Sequence, residues 1–346
     1  MENQRLCYVI EILEKLVNTP SPSGYTKAVM SLVEQEAGRF GFSSEYNRKG
    51  GLIITVPGKK SRVTGLSAHV DTLGAMVRSV RRDGTLALVS VGGFMMESVE
   101  GAYCRILTRD GRSFTGTIQT KAPSVHVFDD ARTLERKEAN MEVRLDEEVS
   151  TAEDVLALGI GAGDYVSFDP KFVHTESGFI KSRHLDDKAS VAVLLGMLKR
   201  FHEEGLTPEN TLKILISNFE EIGHGCSWIP EEIEELLAID MGAVGDDLNG
   251  SEYKVSICAR DSSTPYDFDM TNRLIELAKE HGIGYVVDVF PHYGSDVSAA
   301  LRGGSNIRGA LIGQGVSASH GVERTHEKGI LNTLRLLEAY VLDGKS

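Results

Sequence analysis

The sequence predicts an α/β protein with a mixed, mostly parallel sheet flanked by helices and a small all-β domain inserted into it. Apolar strand-like segments alternate with helix-like segments near both ends of the chain, which is typical of a mostly parallel sheet covered on both faces. Between them, short alternating runs surround two Asp-Gly turns, a strong hairpin signal. We therefore predict a discontinuous α/β domain, residues 1–72 and 173–346, and an inserted β domain, residues 73–172.

The segment before the insertion is predicted to contain two helices and two strands. Residues 4–18 have apolar side chains at helical spacing, and TKAVMSLVEQEAGRFG is a second amphipathic helix closed by glycine. GGLIITVPG and TGLSAHVD are predicted strands. The N-terminus lacks the basic start and unbroken apolar core of a signal peptide, and no stretch is apolar enough to span a membrane.

After the insertion, helices and strands alternate again. The predicted helices are KASVAVLLGMLKRFHEEG, PEEIEELL, MTNRLIELAKEHG, SDVSAALRGG and GILNTLRLLEAYVLD. The predicted strands are NTLKILISNF, AIDMGAV, IGYVVDVF and RGALIGQGV. In HYGSDVSAA, Ser295 is expected to cap the helix, with Asp296 at its positive end.

The composition excludes several classes of protein. Lys and Arg number 37 against 50 Asp and Glu, so the formal net charge is −13. An acidic surface argues against binding to nucleic acid or to an anionic membrane. The four cysteines are widely spaced without a CxxC pair, which indicates reduced thiols and a cytoplasmic location.

Polar residues collect where the predicted strands end, which is where open α/β sheets bind ligands. These residues are His69, Asp71, Asp186, Asp187, Glu220, Glu221, Asp240, His320 and His326. Each has an ordinary explanation alone; an Asp-Asp pair before a helix, for example, is commonly an N-cap. Together, histidines and carboxylates at one sheet edge favour zinc or a similar divalent metal. Two histidines and three carboxylates are too many for one catalytic zinc with an open position, but they suit two metals that share a bridging carboxylate.

Over nearly its whole length the chain resembles the glutamyl aminopeptidase family, also called FrvX-like or deblocking aminopeptidases. The resemblance lies in AHVDTLGAMV, LDDKAS, EEIGHG, AIDMG and a late histidine before the last helix. It implies a dinuclear metallo-aminopeptidase that removes N-terminal residues from short peptides. It also implies that residues 1–72 and 173–346 form the catalytic domain, and that the β insertion mediates contacts in a homo-oligomer, from a dimer to a tetrahedral dodecamer.

The resemblance assigns five metal ligands. His69 and Asp240 would hold one ion, Glu221 and the late histidine the other, and Asp186 would bridge them. His320 is the expected late histidine because it directly follows a predicted strand. The ions are expected to be zinc, with cobalt or manganese as alternatives.

The resemblance also assigns the residues beside the metals. Glu220 would be the general base, and Asp71 would orient His69 through its other ring nitrogen. His326 is the alternative to His320. Asp187 is set aside as a ligand, because relatives can have Asn after the bridging Asp.

The chain departs from the family at three places: Thr72 where Glu is frequent, Lys188 where Arg is common, and SHGVERTH around the late histidine. Rival hypotheses are a deacylase of small amides or a glycosidase on the same scaffold, and a non-catalytic scaffold or binding protein. A glycosidase needs two carboxylates but not two metals, so loss of activity with a chelator would argue against it. Metal content near zero would favour the scaffold protein.

Overall fold

The computed structural model describes residues 2–344. The helices are α1 (Glu2–Val17), α2 (Lys27–Arg39), α3 (Ala152–Ala157), α4 (Leu185–Glu204), α5 (Phe268–Glu280), α6 (Asp296–Arg302) and α7 (Glu327–Leu342). The strands are β1 (Ser43–Tyr46), β2 (Leu52–Val56), β3 (Lys60–His69), β4 (Gly74–Val80), β5 (Leu86–Val91), β6 (Tyr103–Leu107), β7 (Ser113–Thr120), β8 (Met141–Leu145), β9 (Tyr165–Phe168), β10 (Val173–His174), β11 (Phe179–Ser182), β12 (Asn210–Ser217), β13 (Ile233–Ile239), β14 (Gly242–Ala243), β15 (Val255–Arg260), β16 (Tyr285–Val289), β17 (Arg308–Val316) and β18 (Glu323–His326).

The main sheet is mixed and mostly parallel. Its strand order is β1-β2-β12-β3-β13-β17-β15-β16, with the short β14 paired to β17. The central strands β12, β3, β13 and β17 run parallel to one another, whereas β1, β2 and the β15–β17 pair introduce antiparallel neighbours. The predicted fold class is therefore confirmed.

Both faces of the main sheet are covered by apolar side chains, because successive strand residues point to opposite faces. Ile214 and Leu237 belong to the larger core, which packs against α1, α2, α4, α5 and α7. Their neighbours Leu215 and Leu236 belong to a second core on the other face, together with Val297 of α6. Strands buried on both faces are nearly continuously apolar, as TLKILI is.

Six strands, β4-β5-β8-β7-β6-β9, form a closed barrel between Gly74 and Phe168. The two Asp-Gly turns join β4 to β5 and β6 to β7, as predicted. Gly84 and Gly111 have φ of +77° and +84°, a backbone conformation that glycine adopts without a steric penalty. The barrel has its own apolar core, distinct from the two cores of the main sheet.

One element was predicted wrongly. PEEIEELL was expected to be helical, but Ile233–Ile239 is β13, which lies between β3 and β17. A short apolar run that is buried on both faces lacks the period that separates a strand from a helix. Strand β15 and the small sheet β10-β11-β18 were not predicted.

Two further sequence predictions concern the cysteines and membrane-spanning segments. The four cysteines are free thiols. Within residues 2–344, no helix is both long and apolar enough to cross a membrane.

Candidate metal centre

Three neighbouring strands of the main sheet end side by side and carry much of the candidate site. In β12 and β3, which are parallel, Ser217 lies in register with His69, so both strands end at the same level. Glu220 begins a short 3₁₀ turn just after β12, and Asp240 directly follows β13 on the other side of β3. The order of the strands therefore brings together polar residues that are more than 150 positions apart in the sequence.

The carboxylate of Asp186 lies between two histidines. Its Oδ1 is 3.1 Å from His69 Nε2, and its Oδ2 is 3.5 Å from His320 Nε2. The first of the paired glutamates, Glu220, also approaches His69, with its Oε2 3.6 Å from His69 Nε2. Each oxygen of Asp186 thus faces a different imidazole.

Two groups of three side chains have ligand atoms within 4.8 Å of one another, and His69 belongs to both. One group is His69, Asp187 and Asp240, and the other is His69, Asp186 and Glu221. Asp187 was set aside from the sequence, yet it is fully buried here and its Oδ2 accepts the main-chain N–H of His69 at 3.2 Å. Its Oδ1 has no hydrogen-bond partner among residues 2–344. Its position beside Asp186 was the sequence signal for it.

His320 reaches the cluster from the loop between β17 and β18. Its Nε2 is 3.5 Å from Glu221 Oε2, in addition to its approach to Asp186. Its other ring nitrogen, Nδ1, lies 2.5 Å from the main-chain oxygen of Gly93, which lies between strands β5 and β6 of the barrel.

His326, the alternative histidine, lies elsewhere and uses both ring nitrogens. Its Nδ1 accepts the main-chain N–H of Lys328 at 3.0 Å, which makes His326 the N-cap of α7. Its Nε2 is 2.9 Å from the carbonyl oxygen of Ser177, and its ring packs against Phe179. The structure therefore places His320 in the cluster and His326 outside it.

Asp71 contacts the site differently from what the sequence suggested. The nearest partner of His69 Nδ1 is the main-chain oxygen of Asp71, at 3.0 Å, whereas the carboxylate Oδ1 is 3.6 Å away. The carboxylate instead accepts the N–H of Glu220 at 3.2 Å, the N–H of Glu221 at 3.3 Å and the Ser23 hydroxyl at 2.5 Å. The main contacts of the Asp71 carboxylate are therefore with the 3₁₀ turn Glu220–Ile222, called the glutamate turn below, rather than with His69.

Asp296 and Lys49 form hydrogen bonds with the main chain just after the glutamate turn. Sequence reasoning missed this role for both residues. Ser295 caps α6 as predicted. Asp296 is buried, however, and accepts the Ser217 hydroxyl and the Cys226 N–H, both at 2.8 Å. The Lys49 ammonium donates to the carbonyl oxygens of the two residues before Cys226. Asp296 was noted only as a helix-start residue, and nothing in the sequence around Lys49 points to this contact.

The cluster has more negative than positive charge. Burial raises the pKa of Glu220 and of Glu221, and neighbouring carboxylates raise both further. Burial and the charge of Asp186 raise the pKa of Asp240 to about 7. Burial alone would lower the pKa of His69, but its bond to Asp186 and the nearby carboxylates outweigh burial and raise it. A divalent cation would compensate this charge directly.

A cavity of about 700 Å³ opens in front of the cluster. This volume is within the usual range for small-molecule sites. Five of the predicted site residues form one wall, and the remaining walls include Met241, Ser262, His292, Tyr293 and Arg302. A ligand in the cavity would therefore lie directly against the carboxylates and His320.

Comparison with known proteins identifies the family. Residues 50–336 match the M42 glutamyl aminopeptidase family. The chain belongs to this family. It is 49% identical over 334 residues to YhfE of Bacillus subtilis (strain 168), which is named as an aminopeptidase, and the match covers 96% of each chain. The protein is accordingly a hydrolase of the aminopeptidase type, and its family is metal-dependent.

Solved structures share the fold across almost the whole chain. Aminopeptidase APDkam598 from the archaeon Desulfurococcus kamchatkensis superposes with a TM-score of 0.87 at 22% identity, covering 98% of this chain and 95% of that one. The TET1 peptidase of Pyrococcus horikoshii superposes with a TM-score of 0.85 at 21% identity, covering 97% and 99%. At these identities the likeness establishes the fold.

Proposed function

We propose that this protein is a dinuclear metallo-aminopeptidase that removes N-terminal residues from short peptides. The observation that carries the proposal is the Asp186 carboxylate, which has one oxygen facing His69 and the other facing His320. Asp240 completes the ligand set beside His69, and Glu221 completes the set beside His320.

The residues present fit two divalent ions. Imidazole and carboxylate are ligands that zinc accepts, and the assigned set leaves room for substrate. Buried carboxylates crowd around two histidines, and buried charges are normally paired or bound to metals. Asp187 Oδ1 is buried without a hydrogen-bond partner among the described residues, so a cation beside it would satisfy that atom. We propose zinc as the metal, with cobalt or manganese as the alternatives.

In the proposed mechanism Glu220 moves the proton. Two ions in such a site polarise the scissile carbonyl and activate water as the nucleophile. Glu220 lies at the cluster, 3.6 Å from His69 Nε2, but belongs to neither three-ligand group, so its carboxylate is available as a base. It takes the proton of the attacking water and then delivers it to the leaving amine nitrogen.

The same wall favours cleavage at the free N-terminus. A peptide's protonated amino group would be attracted by the carboxylates of Asp240 and Glu221, which line the cavity. A blocked N-terminus loses this attraction because it carries no positive charge. The proposal therefore predicts that acetylated substrates are poor.

The test compares a free and an N-acetylated aminoacyl-p-nitroanilide, with zinc content measured by elemental analysis. We expect about two ions per chain, hydrolysis of the free substrate alone, loss of activity with EDTA and recovery on adding zinc. Preference for the acetylated amide would favour the deacylase, and chelator-resistant cleavage of a glucoside would favour the glycosidase. No bound metal and no hydrolysis would favour the binding protein.

We also propose that the inserted β domain, residues 73–172, carries contacts between copies of this chain. The P. horikoshii TET1 peptidase assembles into a tetrahedron or a large octahedral shell. On the insertion, Val125 and Val127 are 56% and 73% exposed, as apolar contact residues would be in an isolated chain. The double change Val125→Lys and Val127→Lys should lower the mass measured by light scattering. Val289→Lys, at a site that is 51% exposed on the α/β domain, is the control and should not. An unchanged mass in the double variant would contradict the assignment.

A further inference from the structure

We propose that the barrel insertion is also a structural part of the metal centre, and that Arg183 is the positioning residue that joins them. The contact loop is Gly92–Ser98, between β5 and β6. Through this loop the insertion holds His320 in place. The inference rests on the proposed function, because it takes His320 as a metal ligand.

His320 needs a partner for its second ring nitrogen. Nδ1 lies 2.5 Å from the Gly93 main-chain oxygen, which can only accept a hydrogen bond, so Nδ1 carries the proton. In the neutral imidazole, which is the form that binds a metal, the lone pair is then on Nε2, which faces Asp186 and Glu221. A carbonyl partner of this kind fixes both the tautomer and the ring orientation of a ligand histidine. Here that partner comes from the insertion rather than from the α/β domain.

The backbone around His320 also needs support. His320 and Ala318 have φ of +62° and +57°, in the left-handed region that non-glycine residues avoid. Such conformations persist when surrounding contacts determine them. The His320 side chain is 39% exposed, so packing alone does not hold it. Glu323 supplies one contact, because it accepts the His320 N–H at 3.2 Å.

Arg183 supplies a second contact to the His320 loop and links that loop to the insertion. The residue is 4% exposed. Its Nη2 donates to the Ser98 carbonyl oxygen at 2.5 Å, and its Nη1 donates to the Gly321 carbonyl oxygen at 3.4 Å. Gly321 follows His320, and Arg183 itself lies three positions before Asp186. One guanidinium therefore joins the insertion, the His320 loop and the segment of the bridging carboxylate.

The contact loop is itself fixed on both sides. On the barrel side, Phe94 makes an edge-to-face contact with Phe168 at 5.3 Å between ring centroids. On the site side, a Cβ added at Gly92 would lie 2.5 Å from Leu73 Cδ2 and 3.5 Å from the Glu221 carbonyl oxygen. Gly92 also has φ +82°, a backbone conformation that side chains rarely adopt, so a substitution there is strained. The loop thus packs against the barrel through Phe94 and against Leu73 and the Glu221 main chain at Gly92.

The planar guanidinium matters for this role. Arginine offers several N–H donors in a fixed fork, whereas lysine is a flexible point charge. Arg183→Met removes every donor, and Arg183→Lys keeps the charge without the fork. Arg81→Met is a matched control, because Arg81 donates to the Met141 carbonyl and pairs with Glu142 within the barrel.

The test measures how fast zinc passes from the zinc-loaded protein to a chromophoric chelator. Wild type should release two ions per chain, and His320→Ala should hold one. In Arg183→Met one of the two ions should be released about 10–100-fold faster, because losing a residue that orients a ligand usually lowers metal affinity by that factor. Arg183→Lys should lie between Arg183→Met and wild type, and Arg81→Met should match wild type.

The outcomes separate the two claims. If His320→Ala keeps both ions at wild-type rates, His320 is not a ligand and the proposed metal assignment fails together with this inference. If His320→Ala loses an ion but Arg183→Met releases zinc like Arg81→Met, the metal assignment stands and this inference is overturned. If Arg183→Met fails to melt cooperatively, Arg183→Lys decides, and wild-type release from that variant would contradict the role of the fork.

Discussion

Asp71→Asn tests how the buried carboxylate beside His69 acts. The substitution keeps the size of the side chain and leaves the main-chain oxygen that meets His69 Nδ1 at 3.0 Å. It replaces one carboxylate oxygen by an NH₂ group. That group can donate to the Ser23 hydroxyl, but it can no longer accept the N–H of Glu221.

The expected size follows from these contacts. Leaving the buried Glu221 N–H without an acceptor costs about 1–3 kcal/mol, and changing the Glu220 bond from charged to neutral costs about 1 kcal/mol. The free energy of unfolding should therefore fall by about 2–4 kcal/mol. Because the glutamate turn carries Glu221, zinc affinity on that side should fall about 10–100-fold.

The assay pairs urea unfolding with zinc titration, and Asp288→Asn is the control. Asp288 is a buried aspartate that accepts a main-chain N–H from Asn249 and the Ser256 hydroxyl, so Asp288→Asn makes the same chemical change away from the site and should cost about 1 kcal/mol of stability. Only Asp71→Asn should weaken zinc. If both variants bind zinc like wild type, the carboxylate has no influence on the site. If the ion lost from Asp71→Asn is the one that Asp240→Asn also loses, the carboxylate acts through His69 and the reasoning is wrong.

Three further predictions concern residues around the site and in the core. His326→Ala should keep both ions and lower stability by about 1 kcal/mol, because it removes the N-cap acceptor of α7; loss of an ion by elemental analysis would contradict this. Glu235→Gln should lower the free energy of unfolding by about 2–3 kcal/mol in urea, since its buried carboxylate pairs with the partly exposed Arg308; an unchanged midpoint would argue against that pairing. Leu237→Ala should lower it by about 2–5 kcal/mol, because the side chain is fully buried at the centre of the main sheet, and a loss below 1 kcal/mol would mean that the cavity collapses.

The sequence predicts the fold well where one physical signal dominates. Alternating apolar helices and strands specify a mostly parallel sheet, and the Asp-Gly turns at Asp83 and Asp110 specify two hairpins of the barrel. The sequence-based prediction fails at β13. Burial on both faces removes the hydrophobic periodicity that distinguishes a strand from a helix. The exposed side chain of Glu234 and the buried Glu235 also imitate the polar face of a helix.

The sequence likewise predicts one part of the candidate site and misses another. Side chains that follow strand ends are found from the sequence, because parallel strands bring their carboxyl ends to one edge. The contacts that hold these side chains are not, because they run through main-chain atoms. The carbonyl of Gly93 and the N–H groups that Asp71 accepts leave no trace in residue types. Asp187 was visible in the sequence but was set aside by analogy with relatives.

The most direct test of the central claim compares Glu220→Gln with Glu221→Gln. Both substitutions keep size and remove a charge at adjacent positions, so each is the matched control of the other. The measurement is zinc per chain by elemental analysis beside the rate of aminoacyl-p-nitroanilide hydrolysis.

If Glu220 is the base and Glu221 a ligand, Glu220→Gln keeps both ions and loses activity by about 10²–10⁴-fold. Glu221→Gln then loses an ion, and excess zinc restores part of its activity. Loss of an ion by Glu220→Gln while Glu221→Gln keeps both would reverse the two roles. Wild-type rate and metal content in both variants would contradict the two-metal account itself.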